Sequence, residues 1–153
     1  MENSKQKILI TGASSGLGRE LAHQYAQKGD VELILVARRK EALEKVAKKC
    51  EAFENVKTRV YSVDIGSQEQ VEHLLSSVKD IDILINGAGY GIMKDFSEFS
   101  DHDVVNMFDT NVIGTIQLTT EIAKRMREKK SGTIVTIASL AGKIATPKSS
   151  VYS

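Results

Sequence analysis

The stretch TGASSGLG, Thr11 to Gly18, joins a short apolar run, Ile8 to Ile10, to a segment with helical spacing. Glycines permit a tight turn and close approach of a ligand to the backbone, and the N–H groups that open a helix favour a pyrophosphate. The spacing of Gly12, Gly16 and Gly18 differs from the general G-x-G-x-x-G fingerprint, and no G-K-[ST] follows to indicate a P-loop. The stretch predicts a phosphate-binding strand-to-helix turn, and a purely structural glycine turn is the alternative.

Apolar runs rich in β-branched residues alternate with segments whose apolar residues recur at helical spacing. The runs DILIN and TIVTIAS are apolar on both faces, as in a parallel sheet covered by helices on each side. The sequence therefore predicts an α/β fold, a doubly wound parallel sheet with helices on both faces. The predicted strands are Ile8 to Ile10, Val31 to Val36, Val56 to Val63, Ile81 to Ile85 and Thr133 to Ala138. The predicted inner helix faces carry Leu17, Leu21, Ala22 and Tyr25, then Leu43, Val46, Ala47 and Cys50, then Val71, Leu74, Leu75 and Val78.

Composition limits the class of partner. The 153 residues contain 21 Lys plus Arg and 20 Asp plus Glu, which gives no electrostatic reason to expect nucleic acid or an anionic membrane. A small molecule or a nucleotide suits this balance better. The N-terminal region has no apolar run approaching the ~20 residues of a membrane span, so we predict a cytoplasmic protein. One cysteine and three scattered histidines offer no metal-ligand spacing, and no metal is expected.

The order T-G-x-x-x-G-x-G resembles the cofactor loop of the short-chain dehydrogenase/reductase family. Four further stretches continue the resemblance in the family's order: VDI, NGAGYG, DTNVIGT, and TIVTIASLAG followed by a tyrosine. Tyr152 lies 13 residues after Ser139, which is the serine-to-tyrosine interval of the family. The resemblance covers essentially the whole chain, and it implies one Rossmann-type, nucleotide-binding domain over residues 1–153.

The resemblance also implies a set of cofactor-binding residues. Asp64 would hydrogen-bond the adenine, with Ile65 at its side, although a carboxylate that caps a strand end is the plainer interpretation. The backbone of NGAG would line the cofactor, but Gly87 stands where the family usually has asparagine, so one side-chain hydrogen bond is missing there. With the two arginines considered next, the expected cofactor-binding residues are Gly12, Ser14, Ser15, Gly16, Leu17, Gly18, Arg38, Arg39, Asp64, Ile65, Asn86, Ala88 and Gly89.

Cofactor choice follows from the end of the second predicted strand, LVARR. A carboxylate about 20 residues past the glycine loop would accept the 2′-hydroxyl of NAD and repel a 2′-phosphate. Arg38 and Arg39 follow Ala37 instead, and a guanidinium can form a forked pair of hydrogen bonds to phosphate oxygens. The sequence therefore predicts NADP(H). The alternative is that an arginine merely starts the next helix.

The resemblance implies a hydride transfer between nicotinamide and a carbonyl or alcohol carbon. Tyr152 would be the acid/base, Ser139 would stabilise charge on the carbonyl oxygen, and Asn111 would hold a proton-relay water through its main chain. A phenol has an unperturbed pKa of about 10, so a cation must favour the phenolate. The family supplies a lysine four residues after the tyrosine, whereas Ser153 is the last residue of this chain.

Family members also continue into a helix, two further strands and a segment that covers the substrate. We therefore expect a fragment or truncated product of a longer enzyme, with a sheet incomplete at the C-terminus and TIVTIAS at its edge. Losing the activator of a proton-transfer group worth about 10²–10⁴-fold would silence turnover. Two functions stay open: an NADP(H)-dependent oxidoreductase of ketones, aldehydes or secondary alcohols, and an inactive nucleotide-binding or scaffold module.

Two further expectations concern relatives and assembly. The extended sugar-nucleotide epimerases also use a Rossmann fold, but their T-G-x-x-G-x-x-G loop does not match the glycine spacing here. Family members commonly pair through the helix that contains Asn111 and the helix after Tyr152, so a homo-oligomer is possible. No nucleic acid or membrane partner is expected.

Overall fold

A computed structural model describes residues 5–144 and 146–153 of the chain. Its five strands confirm the five sequence predictions, with ends that differ by a few residues. The strands are β1 (Gln6–Thr11), β2 (Val31–Ala37), β3 (Lys57–Ser62), β4 (Ile83–Asn86) and β5 (Thr133–Thr136). The helices are α1 (Gly16–Lys28), α2 (Lys40–Cys50), α3 (Gln68–Ser77), α4 (Asp101–Phe108) and α5 (Gly114–Glu128), with a π-helical turn (Asp109–Ile113) between the last two and 3₁₀ turns at Phe96–Glu98 and Leu140–Gly142.

All strands run parallel in the spatial order β3-β2-β1-β4-β5. The chain winds outward from β1 to β3, returns to pair β4 with β1, and then continues outward to β5. In such a sheet, the loops that follow the two central strands diverge to opposite faces and leave a crevice at their carboxyl ends. The order therefore puts the loop after β1 beside the loop after β4.

Two apolar layers cover the sheet because side chains alternate along each strand. One layer contains Ile8 and Ile10 of β1, with residues of α1 and α2. The other contains Leu9 of β1, with residues of α3 and α5. These layers confirm the predicted inner faces of the second and third helices, and the doubly wound fold class.

The first helix departs from prediction at one position. Ala22 is buried, and Leu21 and Tyr25 pack against the core, but Leu17 is 64% exposed. Leu17 lies in the first turn of α1, at the mouth of a groove beyond the carboxyl edge of the sheet, so no strand is there to cover it. Its predicted position on the inner face is wrong.

The strand β5 lies at one edge of the sheet. It pairs with β4 on one side, and all four of its residues are exposed, including Ile134 and Val135. This is the edge position predicted for TIVTIAS. Among the helices described, none is long and apolar enough to cross a bilayer. The cytoplasmic location stays a prediction from sequence.

Candidate cofactor groove and active-site residues

A groove of about 390 Å³ lies at the carboxyl ends of β1, β2 and β4. This volume falls within the range of about 300–1,000 Å³ that small-molecule and cofactor sites occupy. Its walls come from the glycine-rich loop, the end of β2, the end of β3 and the loop after β4. Every predicted cofactor residue except Asn86 lines the groove: Gly12, Ser14, Ser15, Gly16, Leu17, Gly18, Arg38, Arg39, Asp64, Ile65, Ala88 and Gly89.

The two central loops touch through glycine. Gly12 has φ +69°, and a Cβ atom at this position would lie 2.4 Å from the carbonyl oxygen of Gly87. A Cβ on Gly18 would lie 2.5 Å from the carbonyl oxygen of Gly12, so α1 also packs against the loop at backbone distance. The buried Thr11 hydroxyl oxygen accepts hydrogen bonds from the N–H groups of Gly87 and Ala88, at 3.1 and 3.0 Å. The floor of the groove is therefore formed by two backbone segments in direct contact. Glycine and the small hydroxyl residue Thr11 allow this close approach.

The N-terminus of α1 suits an anion. Its N-cap residue, Ser15, makes no side-chain capping bond, and the first turn contains no acidic residue. The opening N–H groups of a helix have no intrahelical acceptor and carry the positive end of its dipole. Gly16 lines the groove, and a Cβ atom at this position would meet no atom within 4 Å. These features fit a pyrophosphate.

Two arginines stand at the end of β2. The Arg39 guanidinium donates a hydrogen bond to the Ser14 hydroxyl oxygen at 3.3 Å, so it lies over the glycine-rich loop. The Arg38 guanidinium carbon lies 5.9 Å from the ring centroid of Tyr90, in the loop after β4. Within the described chain, neither forms a salt bridge with a carboxylate. Both arginines line the groove, and so does the carboxylate of Asp64.

Asp64 and Asn86 have local partners. The Asp64 carboxylate accepts a hydrogen bond from the Gly66 N–H at 2.9 Å, which shapes the turn after β3. Asn86 is buried, and its amide donates to the hydroxyl oxygens of Thr119 at 2.8 Å and Thr136 at 3.3 Å. Asn86 thus connects β4 with α5 and β5, and it does not line the groove. Its Oδ1 atom has no hydrogen-bond partner in the described part of the chain.

Asn111 lies in the π-helical turn between α4 and α5. Such turns occur frequently at functional sites, because the extra residue shifts the helical hydrogen bonds. Its side-chain oxygen accepts from the Tyr90 N–H at 3.0 Å, and its side-chain nitrogen donates to the Tyr90 carbonyl oxygen at 2.7 Å. The amide is therefore occupied in holding the loop after β4, which leaves the main chain of Asn111 for any role with water.

Ser139 and Tyr152 lie outside the groove lining. Ser139 caps the 3₁₀ turn that follows β5, and its hydroxyl oxygen accepts from the Ala141 N–H at 3.1 Å. The ring of Tyr152 packs against Gly91, where a Cβ atom would lie 3.1 Å from its Cγ. In residues 5–144 and 146–153, no hydrogen bond connects Ser139 with Tyr152. The described part of the chain thus forms the groove, but it contains no hydrogen bond between the two predicted catalytic side chains, and the Asn111 side chain bonds Tyr90 instead.

Sequence reasoning missed several lining residues. Tyr90 is the most consequential, because its ring contacts Arg38 and its backbone is held by Asn111. The available signal was an aromatic residue directly after the NGAG stretch, at the carboxyl end of a central strand. Thr110 and Ile137 also line the groove, and no sequence pattern singled them out.

Cys50 and the groups that could ligate a metal form no second site among the described residues. Cys50 is buried in the layer under α2, as predicted, and burial together with the neighbouring Glu51 raises the pKa of its thiol to about 11. A protonated, buried thiol is a poor nucleophile. Over the described ranges, no three His, Cys, Asp or Glu side chains are grouped to hold a metal ion.

Comparison with known proteins agrees with this geometry. The family model described as short chain dehydrogenase matches residues 6–153. An NADP-dependent 3-hydroxy acid dehydrogenase from Schizosaccharomyces pombe is 35% identical over 150 residues, covering 95% of this chain and 58% of the relative. A very-long-chain 3-oxoacyl-CoA reductase from Coccidioides immitis is 36% identical over 152 residues, covering 95% of this chain and 43% of the relative. The chain therefore spans about half the length of these relatives.

Solved structures are similar as well. A bulky-bulky ketone specific alcohol dehydrogenase from Comamonas testosteroni superposes with a TM-score of 0.91 at 27% identity, over 98% of this chain and 61% of that one. A short-chain dehydrogenase from Sphingobium yanoikuyae in complex with NADPH has a TM-score of 0.89 at 30% identity, over 96% and 59%. An NAD⁺-bound xylitol dehydrogenase has a TM-score of 0.85 at 27% identity, over 99% and 60%. The family-model match over residues 6–153, with these similar sequences and structures, shows that this chain belongs to the short chain dehydrogenase family of oxidoreductases.

Proposed function

We propose that the protein is an NADP(H)-dependent oxidoreductase that interconverts a carbonyl compound and a secondary alcohol. The carrying observation is the groove at the ends of β1 and β4, with a helix N-terminus on one side and, on another, two arginines that form no salt bridge within the described chain. The glycine loop and the start of α1 would hold the pyrophosphate. The two arginines would donate hydrogen bonds to a 2′-phosphate, whereas an acidic residue at this position would repel it.

The names of similar proteins support the same cofactor without deciding it. The Schizosaccharomyces pombe relative is NADP-dependent, and the Sphingobium yanoikuyae structure contains NADPH. The xylitol dehydrogenase structure contains NAD⁺, so the fold accepts either cofactor. The arginines at the end of β2 are the local reason to prefer NADP(H) in this chain.

Tyr152, Ser139 and Asn111 are the proposed catalytic residues. The bound nicotinamide would supply or accept the hydride. Tyr152 would move the proton at the substrate oxygen, and the Ser139 hydroxyl would donate a hydrogen bond to the same oxygen. Ser139 can do so because its hydroxyl acts only as an acceptor toward Ala141. Asn111 would anchor a water through its main chain while its amide holds Tyr90.

The names of relatives suggest where a substrate search should begin. One relative is a 3-hydroxy acid dehydrogenase, and another is a 3-oxoacyl-CoA reductase. These compounds have in common a secondary alcohol or ketone at the third carbon of an acyl chain. We propose 3-hydroxy acids and 3-oxoacyl thioesters as the first compounds to test.

A nucleotide-binding module without turnover is the second candidate function. It is favoured by one observation, that neither Ser139 nor Tyr152 lines the groove. In this second candidate, the groove would bind the cofactor as in the first. The two candidates would differ only in whether the bound cofactor reacts with a substrate.

Cofactor choice can be tested by calorimetric titration of the full chain with NADPH and NADH. We expect NADPH to bind at least about tenfold more tightly, because charge-assisted hydrogen bonds to the 2′-phosphate are lost with NADH. The double variant R38Q/R39Q should lose this preference. The variant K48Q/K49Q removes two charges from the neighbouring helix α2 without touching the groove lining, and it should retain the preference. Equal binding of the two cofactors would refute the proposed NADP(H) dependence.

Turnover separates the two candidate functions. If the first candidate is right, 3-oxoacyl thioesters or 3-hydroxy acids should change NADPH absorbance, at a rate that falls by about 10²–10⁴-fold in Tyr152→Phe. Cofactor affinity should stay unchanged in that variant, since Tyr152 does not line the groove. Tight NADPH binding with no reaction on any of these compounds would support the module instead.

We also propose that the protein self-associates. Five apolar side chains form an exposed stripe along α4, the π-helical turn and α5: Val105, Phe108, Val112, Ile113 and Ile116. Contiguous exposed apolar surface of this kind marks association sites. A second copy of the chain is the proposed partner, as expected for the family.

A further inference from the structure

A second groove lies between α1 and α2, and it is separate from the cofactor groove. Its volume is about 600 Å³, within the range of about 300–1,000 Å³ that small-molecule sites occupy. Only Ser14 lines both grooves. The rest of the lining comes from α1, from α2 and from the turn that follows α2, and the proposed reaction uses none of it.

The ionisable side chains that line this second groove are all basic. Arg19 and His23 come from α1, and Lys45, Lys48 and Lys49 come from α2. Over the part of the chain that the structure describes, no Asp or Glu lines the groove, and neither Arg19 nor the three lysines form a salt bridge. The whole chain is nearly balanced, with 21 Lys plus Arg and 20 Asp plus Glu. The groove is therefore a local excess of positive charge, which attracts anions.

The remaining surface of the groove is mainly apolar. Ala42 and Val46 lie one helical turn apart on α2, and Ala52 follows the end of this helix. Val46 is buried, whereas the three lysines are exposed, so apolar side chains form the floor and ammonium groups form the rim. The aliphatic stems of lysine and arginine also lie along apolar surface while their charged ends stay in solvent. From Ala42 to Lys49 the helix rises about 10 Å, which makes the groove elongated.

We propose that this basic groove binds a fatty carboxylate, with the acyl chain along α2 and the carboxylate at the basic rim. Such a ligand matches both parts of the groove, because its chain covers the apolar floor and its carboxylate accepts charge-assisted hydrogen bonds. An inorganic anion would leave the floor uncovered, and a bilayer surface is too broad and flat to enter a groove of this volume. The proposal does not rest on the oxidoreductase function, since the two grooves share only Ser14.

The test titrates decanoate, below the concentration at which it forms micelles, into the full chain with isotopically labelled alanine methyl groups. In the nuclear magnetic resonance spectrum, Ala42 and Ala52 report on the basic groove, whereas Ala37 and Ala88 report on the cofactor groove. Two comparison probes accompany decanoate. Octanoate shortens the chain, and decyltrimethylammonium keeps the chain but reverses the charge. No cofactor or reaction is needed, so the result is independent of the oxidoreductase proposal.

We expect decanoate to shift the methyl signals of Ala42 and Ala52 to saturation and to leave those of Ala37 and Ala88 unchanged. Octanoate should bind at least about threefold more weakly, because each buried CH₂ group contributes to binding. Decyltrimethylammonium should shift none of these signals, since the rim repels a cation.

Two double variants test the role of the rim. K45Q/K49Q should weaken decanoate by about three- to tenfold, the combined size of two exposed charge pairs. K57Q/K124Q removes the same charge from exposed lysines of β3 and α5 that do not line the basic groove, and it should bind like the wild type. Thermal unfolding of both variants controls for folding.

Several outcomes would overturn the inference. No shift at Ala42 and Ala52, or shifts at Ala37 and Ala88 instead, would mean that decanoate does not occupy the basic groove. Equal binding of decyltrimethylammonium, or equal losses in the two double variants, would show that the rim does not select an anion. A glutamate-rich helical peptide that shifts the same methyl signals and displaces decanoate at lower concentration would assign the groove to an acidic protein partner.

Discussion

At the scale of single residues, the groove exists because a few positions lack a side chain. Gly12 meets the backbone of Gly87, and the hydroxyl of Thr11 closes the remaining gap by accepting two amide hydrogen bonds. Gly87 stands where the family usually has asparagine, and a Cβ there would lie 2.8 Å from the Thr11 carbonyl oxygen. In place of an asparagine side chain, the Gly87 backbone packs directly against Thr11, and its N–H group donates a hydrogen bond to the Thr11 hydroxyl oxygen.

The residue-scale prediction compares Gly12→Ala with Gly16→Ala. Both glycines have positive φ, at +69° and +52°. An alanine in this left-handed conformation lowers the free energy of unfolding by about 1–2 kcal/mol. Only Gly12→Ala adds a collision with the Gly87 carbonyl, an overpacking cost of about 1–3 kcal/mol. Urea unfolding should show a loss of roughly 2–5 kcal/mol for Gly12→Ala and about 1–2 kcal/mol for Gly16→Ala. Equal losses of unfolding free energy in the two variants would show that the contact between Gly12 and Gly87 can relax to admit a methyl group.

At the scale of elements, the end of the sheet opposite the groove is held by Asp82, just before β4. Its carboxylate accepts from the Lys7 N–H at 2.8 Å and from the Lys129 ammonium at 2.7 Å, so it joins β1, β4 and the residue after α5. Partial burial raises the pKa of Asp82, but these hydrogen bonds and the charges of Lys129 and Lys7 outweigh it and lower the pKa below its usual value.

The element-scale prediction concerns pH. Because the folded-state pKa of Asp82 lies below the unfolded value of about 3.9, its stabilisation is present above that pH and is lost as pH falls through the folded pKa. The side chain is 38% exposed, so solvent screening limits the effect to about 1 kcal/mol. Asp82→Asn should lower the unfolding free energy at pH 7, and the deficit should shrink below about pH 4.

Asp80→Asn is the matched control, since Asp80 is 78% exposed and lies 3.9 Å from the same Lys7 ammonium. Its unfolding free energy should change by less than about 0.5 kcal/mol at every pH. A deficit in Asp82→Asn that is as large at pH 3 as at pH 7 would contradict the assigned ionic role.

At the scale of the whole molecule, two surfaces stay apolar. The edge strand β5 exposes both of its faces, and the stripe from Val105 to Ile116 runs along the helices on one side of the sheet. Four of the stripe residues are at least 48% exposed, among them Phe108 and Ile116. Large side chains so exposed along continuous helices are where association between copies is expected.

The molecular-scale prediction is that Ile116→Glu weakens self-association. Sedimentation velocity should show a concentration-dependent oligomer for the wild-type chain and a shift toward monomer in the variant, since a buried, unpaired carboxylate is costly at an interface. Gln27→Glu adds the same charge on α1, which packs on the opposite face of the sheet, and should leave the oligomer intact. A strictly monomeric wild type would refute the proposed interface.

Much of the fold could be predicted because its signals are local. The five strands and the apolar faces of α2 and α3 can be predicted directly from residue spacing. The turn between β1 and α1 can be predicted from its glycines. Leu17 was misassigned because spacing cannot tell where a helix projects beyond its sheet. The two arginines could be predicted to lie at the groove because they follow a predicted strand. Their contacts could not be predicted, because Arg39 contacts Ser14 and Arg38 contacts Tyr90, both of which are distant in sequence.

The sequence by itself determined the α/β class, the glycine-rich phosphate loop, the paired arginines and the family to which the chain belongs, because each is written in adjacent residues. Only the tertiary structure decided that Asn86 connects β4 with α5 and β5, that Asn111 holds Tyr90, and that Arg38 contacts Tyr90 whereas Arg39 contacts Ser14. These outcomes depend on β1 and β4 lying side by side and on α5 packing behind them. Contacts between segments so far apart in the chain follow from the order of the strands, which no local pattern contains.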